Sequence, residues 1–276
     1  MPLCNDKSVD YLNSLGYNLI ALPREGITPL HILVTDSDTE VASLYGYITD
    51  LLEEPLPLMP QVFENLQAAT ISGLQTNKLE FNFGISFLKV LISALGGKTA
   101  GIEAAFGDAS SIEFEYENVL YDTVMPASAS RFLRTATPYV DSDVLTHFAE
   151  TKKAYVIIDV LKSNSFGVRA YEKNGKGISV NLSLLKDIIG IDSKLVLEEN
   201  EDLKMSYRGE NPLGFGFKAC PIWIDVEGES LKFRLNPNTN QEVMFRGSEP
   251  DSEAADSADA DLTPVLLAPK QLMTLD

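Results

Sequence analysis

Residues 111–120 read SIEFEYENVL, and apolar and acidic side chains alternate strictly from Ile112 to Glu117. Ile112, Phe114 and Tyr116 fall on one side of an extended chain, and the intervening glutamates fall on the other. A period of two residues does not suit a helix. The pattern therefore predicts a β-strand with one apolar face and one solvated, anionic face.

A helix is predicted shortly before this strand. In ISFLKVLISALGG, residues 85–97, the apolar side chains recur at helical spacing on one face, while Lys89 lies opposite them. The terminal Gly-Gly pair is expected to end the helix. The preceding LEFNF, residues 79–83, alternates like a strand.

Strands dominate the sequence from residue 154 onward. AYVIIDVL, residues 154–161, has the composition of a buried strand, and the Asn174-Gly175 pair predicts a tight hairpin between FGVRAYE and ISVNLSLL. Further predicted strands are KLVLEE, LKMSYR, GFGFKACPIWIDV and LKFRL. This order of elements predicts an α+β fold with a large antiparallel sheet.

The remaining predicted elements are a short amphipathic helix that ends at Gly16, strands at residues 18–22 and 30–35, and helices at residues 132–136 and 144–148.

Composition excludes several classes of function. Forty acidic against 22 basic residues leave a net charge of −18, which has the wrong sign for binding a nucleic-acid backbone. Cys4 and Cys220 allow at most one disulfide, which favours a reducing cytosol. The sequence shows no secretion signal, and its most apolar run, residues 85–95, is about half the length of a membrane-spanning helix.

No catalytic or metal-binding pattern is present in the sequence. His31 and His147 are not spaced as metal ligands with each other, with a cysteine or with a carboxylate. Gly97-Lys98-Thr99 lacks the earlier glycine of a phosphate-binding loop. We therefore expect that the protein is not an enzyme and holds no metal.

The composition changes sharply near the C-terminus. Between Glu249 and Asp261 there are six acidic residues and no basic ones, which predicts a disordered linker. The apolar character then returns, and an exposed apolar tail would promote aggregation, so we expect this tail to dock on the body. Its apolar residues are Val265, Leu266, Leu267, Leu272, Met273 and Leu275.

Three sequence segments resemble those of the bacterial gasdermins: CNDKSVDYLNSLGYNLIALPREGITPL from residue 4, FGISFLKVLISALGG from residue 83, and AYVIIDVLKSNSFGVRAYEKNG from residue 154. The resemblance extends over residues 1–246 and a short tail. It implies a gasdermin N-terminal-domain-like fold, a twisted central antiparallel sheet with surrounding helices. It also implies an autoinhibited pore-forming protein of antiphage defence, which proteolysis activates to kill the cell.

The resemblance further implies a division of the chain into a pore-forming body, residues 1–246, an acidic linker, residues 247–261, and an autoinhibitory peptide, residues 262–276. Cys4 matches the cysteine that the family acylates with palmitate, and no other cofactor is expected. Before cleavage the protein is expected to be cytoplasmic and monomeric. Afterwards it is expected to bind lipids and form a homo-oligomer in the bacterial inner membrane.

The activating protease is expected to be trypsin-like or caspase-like and to cut between Met244 and Leu262, with Arg246-Gly247 as the first choice. The body must then supply spanning strands of about 9–11 alternating residues. The expected residues of the membrane-inserting strands are Phe81, Phe83, Ile112, Phe114, Tyr116, Val156, Val168 and Val180. Of these, Ile112, Phe114 and Tyr116 are expected to face lipid, and the intervening glutamates the lumen. Phe114→Asp is expected to leave the soluble protein folded and to abolish leakage. The alternative is a soluble, non-enzymatic α+β binding domain with a regulatory tail.

Overall fold

The computed structural model describes residues 7–35, 42–94, 97–139, 154–190, 196–199, 204–227 and 230–235. Twelve antiparallel strands form the sheet in these parts of the chain. They are β1 (Asn18–Arg24), β2 (His31–Thr35), β3 (Ala42–Tyr47), β4 (Val62–Gln67), β5 (Leu79–Glu80), β6 (Ser111–Glu117), β7 (Leu120–Val124), β8 (Ala154–Tyr171), β9 (Gly177–Ile178), β10 (Val196–Glu199), β11 (Met205–Glu227) and β12 (Ser230–Leu235).

The described helices are α1 (Lys7–Ser14), α2 (Phe81–Ala94), α3 (Pro126–Thr135) and α4 (Leu182–Ile189), with 3₁₀ turns at Ile48–Leu51 and Ile102–Phe106. The predicted α+β class with a large antiparallel sheet is confirmed. None of the described helices combines the length and the hydropathy needed to cross a membrane.

The long strands β8 and β11 lie at the centre of the sheet and pair with each other along most of β8. The opposite edge of β8 pairs in turn with β2 at residues 154–156, with β7 at 159–162 and with β6 at 165–171. The pairing of β8 with β11 changes register between Ser163 and Ser165. Along one edge β8 therefore pairs with β2, β7 and β6 in succession, and its pairing with β11 along the other edge is interrupted near Ser163.

Two predicted strands are helical in the structure. LEFNF contributes only Leu79–Glu80 to the sheet, because α2 begins at Phe81. ISVNLSLL contributes only Ile178 to β9, and residues 182–189 form α4 instead. The side chain of Asn181 accepts a hydrogen bond from the amide of Leu184 at 3.0 Å, which caps the helix at its N-terminus.

Other predictions agree with the structure. The Asn174-Gly175 hairpin joins β8 to β9, and Gly175 has the positive φ of +84° that this turn requires. The helix α1 ends just before Gly16, whose φ is +80°. Helix α3 extends the one predicted near residue 132 back to Pro126, whereas the helix predicted at residues 144–148 lies outside the described residues.

The apolar core is divided among several clusters along the sheet. One cluster packs α3 and β12 against the start of β8 and includes the buried Cys220. A second lies between β6 and the helices α2 and α4. A third joins Leu12 of α1 to Tyr116 and Phe215. The second and third clusters surround the site described below.

Candidate functional site

The apolar face of β6 is covered by α2. Ile112 and Phe114 are buried, and the ring of Phe87 meets that of Phe114 edge-on, with centroids 5.0 Å apart. A Cβ atom at Gly84 would lie 2.9 Å from the Cβ of Ile112. Glycine therefore allows the backbone of α2 to lie closer to β6 than another residue would permit.

The same apolar face continues across β8 and β11. Phe114 is directly opposite Val168, and Phe166 stacks on Tyr207 with ring centroids 5.0 Å apart and planes within 4°. Leu185 of α4 is buried in the same cluster. An apolar surface three strands wide is therefore removed from water by two helices in this structure.

The opposite face of β6 carries a network of paired charges. The carboxylate of Glu115 accepts hydrogen bonds from Arg169 at 2.8 Å and from Lys204 at 3.0 Å. Lys204 also contacts Glu117 at 2.7 Å, and the hydroxyl of Tyr171 donates to Glu113 at 2.7 Å. We call Glu115, Glu117, Arg169 and Lys204 the charge network.

The charge network is mostly buried, and its groups shift one another's pKa. Burial alone would raise the pKa of Glu115, but hydrogen bonds from Lys204 and Arg169 outweigh burial and lower it. Burial alone would lower the pKa of Lys204, but its two carboxylate partners raise it. Burial and the bond to Glu113 raise the pKa of Tyr171 to about 12.

The predicted anionic face is therefore corrected in one respect. Its alternation is as predicted, but the glutamates are not solvated: Glu113 is 9% exposed, and Arg169 and Lys204 neutralise the carboxylates of the network. These partners lie 54 and 89 residues from Glu115 along the chain, so local periodicity does not identify them.

A small apolar pocket, open in part to solvent, lies beside the charge network. Tyr116 and Phe215 line it, and their rings stack with centroids 4.6 Å apart. Leu12 of α1 packs in the same cluster as these two rings, so the N-terminal helix lies near the pocket. The other apolar lining residues are Pro23, Leu91, Phe114, Phe166 and Leu213.

The eight residues predicted for the membrane-inserting strands lie in different parts of the structure. Ile112, Phe114 and Val168 lie together in the cluster under α2, and Tyr116 lies in the neighbouring cluster. Val156 lies at the other end of β8, in the cluster that contains Cys220. The remaining three lie in no strand: Phe81 and Phe83 are in α2, and Val180 precedes α4.

The burial of Phe114 corrects one expectation. Its side chain is only 2% exposed and is surrounded by apolar groups. An aspartate there would bury an unpaired carboxylate, so Phe114→Asp would disrupt the fold described above. A test of this strand needs a substitution that this fold tolerates.

Several candidate residues lie outside the described part of the chain: Cys4, Arg246, Gly247, His147 and the tail residues Val265, Leu266, Leu267, Leu272, Met273 and Leu275. The same holds for the predicted linker and autoinhibitory peptide, residues 247–276. The imidazole of His31 lies 2.9 Å from the hydroxyl of Thr28. Among the described residues, no three His, Cys, Asp or Glu side chains are grouped as metal ligands.

Comparisons with known proteins agree on one family. A model of the Bacterial Gasdermin Family matches residues 20–229. A gasdermin of Vitiosangium sp. (strain GDMCC 1.1324) is 35% identical over 238 residues, which cover 86% of this chain and 88% of the relative. A gasdermin of Lysobacter enzymogenes is 31% identical over 240 residues, 85% of this chain and 86% of the relative.

A solved structure of a bacterial gasdermin from Bradyrhizobium tropiciagri has the same fold. Its TM-score is 0.57 at 17% identity, and the match covers 84% of this chain and 92% of that one.

Proposed function

Because this chain belongs to the bacterial gasdermin family, whose members are pore-forming proteins, we propose that it is an antiphage pore former that kills its host cell after proteolytic activation. Before cleavage it is a cytoplasmic monomer that its own C-terminal peptide holds inactive. After cleavage the body assembles into a homo-oligomer and inserts β-hairpins into the bacterial inner membrane.

The observation that carries this proposal is the two-faced pairing of β6 with β8. Glu113, Glu115 and Glu117 share one face, and Ile112 and Phe114 share the other. A strand that crosses a membrane beside an aqueous lumen needs this alternation. Residues 165–171 of β8 already pair with β6, so two neighbouring strands of the proposed hairpins are hydrogen-bonded before insertion.

Insertion requires the helices over the apolar face to leave it. Phe81 and Phe83 must pass from α2 into an extended strand, and Val180 must do the same from the segment before α4. In lipid every backbone amide needs a partner, so the refolded segments must pair with strands of the same or a neighbouring copy. Release of α2 from β6 is thus an obligatory step of the proposed mechanism.

A reversible covalent link between α2 and β6 tests this step. In the double variant Gly84→Cys and Ile112→Cys the two Cβ atoms lie about 3 Å apart, close to disulfide range after a small shift. We expect the oxidised, protease-cut protein not to leak liposomes and the reduced protein to leak them. The unsubstituted protein under the same oxidant is the matched control. Equal leakage by the oxidised and reduced variant would remove α2 from the mechanism.

The C-terminal peptide is proposed to act through its tether. A tethered peptide has an effective concentration of about millimolar and is diluted once the chain is cut. A dissociation constant between about micromolar and millimolar therefore holds residues 262–276 on the body before cleavage and releases them afterwards. Arg246-Gly247, beside the acidic segment Glu249–Asp261, is the proposed site for a trypsin-like protease, and a caspase-like enzyme is the alternative.

Cys4 is proposed to carry palmitate, and the apolar pocket supports this. The lining of this pocket is almost wholly apolar, which suits an acyl chain, and the small pocket must widen to admit more than the first carbons of that chain. Cys4 is three residues before the start of α1, a backbone reach of at most about 11 Å. Tyr116 and Phe215 would hold the chain. A single acyl chain gives only weak, reversible membrane binding.

Liposome leakage tests the proposal directly. The full chain and a variant with an engineered protease site in place of Arg246-Gly247 are added, with and without that protease, to dye-loaded vesicles of phosphatidylethanolamine and phosphatidylglycerol. We expect leakage and ring-shaped oligomers only after cutting. The unsubstituted chain with the same protease is the control. No leakage, with the cut body still a soluble monomer, would contradict the proposal and favour a soluble binding domain.

Bacterial growth tests the cellular part of the proposal. Co-expression of the engineered chain with its protease is expected to permeabilise the inner membrane and reduce viable counts. The unsubstituted chain with the same protease is expected to leave growth unchanged. Leakage from liposomes without loss of viability would separate pore formation from cell death.

A further inference from the structure

Lys204 reaches the charge network across a glycine of β8. A Cβ atom at Gly167 would lie 2.7 Å from Cδ of Lys204 and 3.0 Å from Oε1 of Glu117. Gly167 is opposite Glu115 of β6 on one side and opposite Ser206 of β11 on the other. Because Gly167 has no side chain, the stem of the lysine has room to cross β8 and reach β6.

The charge network ties β6, the end of β8 and the start of β11 to one another. Lys204, one residue before β11, contacts both Glu115 and Glu117 of β6. Arg169 of β8 contacts Glu115. Residues 165–171 of β8 pair with β6, and the first four of them also pair with the start of β11. The network thus joins side chains on one face of three hydrogen-bonded strands.

The carboxylates of this face also accept hydrogen bonds from neutral groups. The hydroxyls of Ser165 and Ser206 donate to Glu117 at 2.8 Å and 3.1 Å. The side-chain amide of Gln75 donates to Glu115 at 3.3 Å. Carboxylates that are paired and hydrogen-bonded cost less to remove from water than the same carboxylates alone.

Entry into a bilayer removes the polar face of β6 from water before a lumen exists. In a closed pore this face borders water, but a strand that enters before its neighbours have closed a lumen has lipid on both faces. A charged side chain without a partner is costly there, and charged residues inside membranes pair with one another. The glutamates of β6 would therefore oppose the entry of β6 alone.

We propose that Lys204 and Arg169 are positioning residues for membrane insertion. They keep the carboxylates of the charge network paired while β6, the end of β8 and the start of β11 enter the bilayer as one unit. This inference rests on the proposed function and adds to it the partners of the acidic face during entry. The ion pairs and the strand pairing that it needs are already formed in this structure.

The proposed role and a merely structural role predict opposite effects on leakage. Loss of a buried ion pair lowers the stability of the fold, and a less stable fold releases α2 more readily. A merely structural role of Lys204 therefore predicts that Lys204→Met leaks vesicles as fast as the unsubstituted chain or faster. The proposed role predicts slower leakage from a less stable protein.

Leakage kinetics of the cut protein test this prediction. The chain with the engineered protease site, with and without Lys204→Met, is cut completely and added to dye-loaded vesicles. We expect the initial leakage rate of the variant to be about tenfold lower, which corresponds to about 1.4 kcal/mol in the activation free energy.

The matched control is Lys162→Met. Lys162 forms a buried ion pair with Asp122 at 2.6 Å, where β8 pairs with β7 and outside the proposed hairpins. Its loss is expected to lower Tm at least as much as the loss of Lys204 and not to slow leakage.

Further variants separate charge from packing. Lys204→Met with Glu117→Gln removes one cation and one carboxylate together, and Glu115 keeps Arg169. We expect this double variant to leak at nearly the unsubstituted rate. If Lys204→Met does not fold, Lys204→Gln carries the same test with the same expected tenfold slowing, because it keeps a hydrogen-bond donor and removes the charge.

Two vesicle compositions separate insertion from approach to the surface. An extra negative charge on the protein would also weaken its approach to anionic lipid. The rates are therefore compared on vesicles of phosphatidylcholine alone and on vesicles that also contain phosphatidylglycerol. We expect the same slowing on both.

Four results would overturn the inference. Equal leakage rates for Lys204→Met and the unsubstituted chain would overturn it and leave the proposed function intact. Slowing confined to the anionic vesicles, or equally slow leakage by Lys162→Met or by the double variant, would do the same. No leakage from the cut, unsubstituted chain would overturn the proposed function and this inference together.

Discussion

Replacing Lys204 with methionine removes the cation that two carboxylates of the charge network share. Lys204 lies 3.0 Å from Glu115 and 2.7 Å from Glu117, and all three side chains are only 13–15% exposed. Without it, Glu115 keeps its contact with Arg169, whereas Glu117 loses its cation and keeps hydrogen bonds from the hydroxyls of Ser165 and Ser206. The free energy of unfolding is therefore expected to fall.

The size of the effect follows from the burial of the network. Breaking a fully buried pair costs about 3–5 kcal/mol, and breaking an exposed pair costs about 0–1 kcal/mol. For largely buried side chains near the surface we expect about 2 kcal/mol, or a fall of about 4–8 °C in Tm. Lys89→Met is the control, because Lys89 meets Glu103 at the same 3.0 Å but with 37% and 51% exposure. It is expected to leave Tm almost unchanged.

The pH dependence provides a second readout. Because the folded pKa of Glu115 is lowered, its stabilisation is present above the unfolded pKa and is lost as pH falls through the folded pKa. The folded pKa of Lys204 is raised, so its contribution is present below its unfolded pKa and is lost as pH rises through the folded value. The difference in Tm between the unsubstituted protein and Lys204→Met should be full at neutral pH and shrink below about pH 4.

Calorimetry of the full chain from pH 3 to pH 8 measures both effects. Equal Tm shifts for Lys204→Met and Lys89→Met would refute the reasoning that burial strengthens the charge network. A difference that persists undiminished at pH 3 would show that the lost packing of the lysine stem, and not its charge, accounts for the change.

Three further predictions are checked by urea unfolding midpoints. Tyr207→Phe should leave the free energy of unfolding unchanged or raise it by up to about 1 kcal/mol, because the buried hydroxyl has no hydrogen-bond partner among the described residues. A clear fall in the free energy of unfolding would show that the hydroxyl does have a partner. Gly84→Ala should destabilise by about 1–3 kcal/mol through its contact with Ile112, despite the better helix propensity of alanine. Asn181→Ala should cost about 1 kcal/mol because it removes the cap of α4, and no change would contradict the capping role.

The strand β6 was predictable because its signal is local. The two-residue period lies entirely within seven consecutive residues, and these residues form a strand in the structure. The start of α2 was not predictable in the same way. Phe81 and Phe83 alternate with polar residues, as in a strand. They also lie four residues before Ile85 and Phe87, so the same residues fit an α-helix that begins at Phe81.

The segment before α4 shows the same ambiguity. Val180, Leu182 and Leu184 alternate, but Leu185 and Ile189 are spaced for one buried helical face. Asn181 favours the helix over the strand, because its side chain caps the first turn of α4. The sequence contains this signal, as an asparagine immediately before an apolar run.

The charge network could not be derived from periodicity. Arg169 and Lys204 reach Glu115 only after β8 and the chain at residue 204 come to lie beside β6. The continuity of β8 has a similar origin. Its polar middle, around Ser163, remains extended because the hydroxyl of Ser163 donates to the carbonyl of Glu117 in the neighbouring strand.

The change of register near Ser163 is one of three along the pairing of β8 with β11, and it lies where the other neighbour of β8 changes from β7 to β6. We call the parts of the sheet on its two sides lobes, and they need not open together. Residues 165–171 exchange their hydrogen bonds with β6, and residues 154–162 exchange theirs with β2 and β7. Amide hydrogen exchange is expected to resolve these stretches as separate cooperative units, with the first opening at the lower free energy. A transition that releases the first lobe then requires only its own opening free energy. The second lobe persists as a folded hub on which the rearranged strands remain anchored.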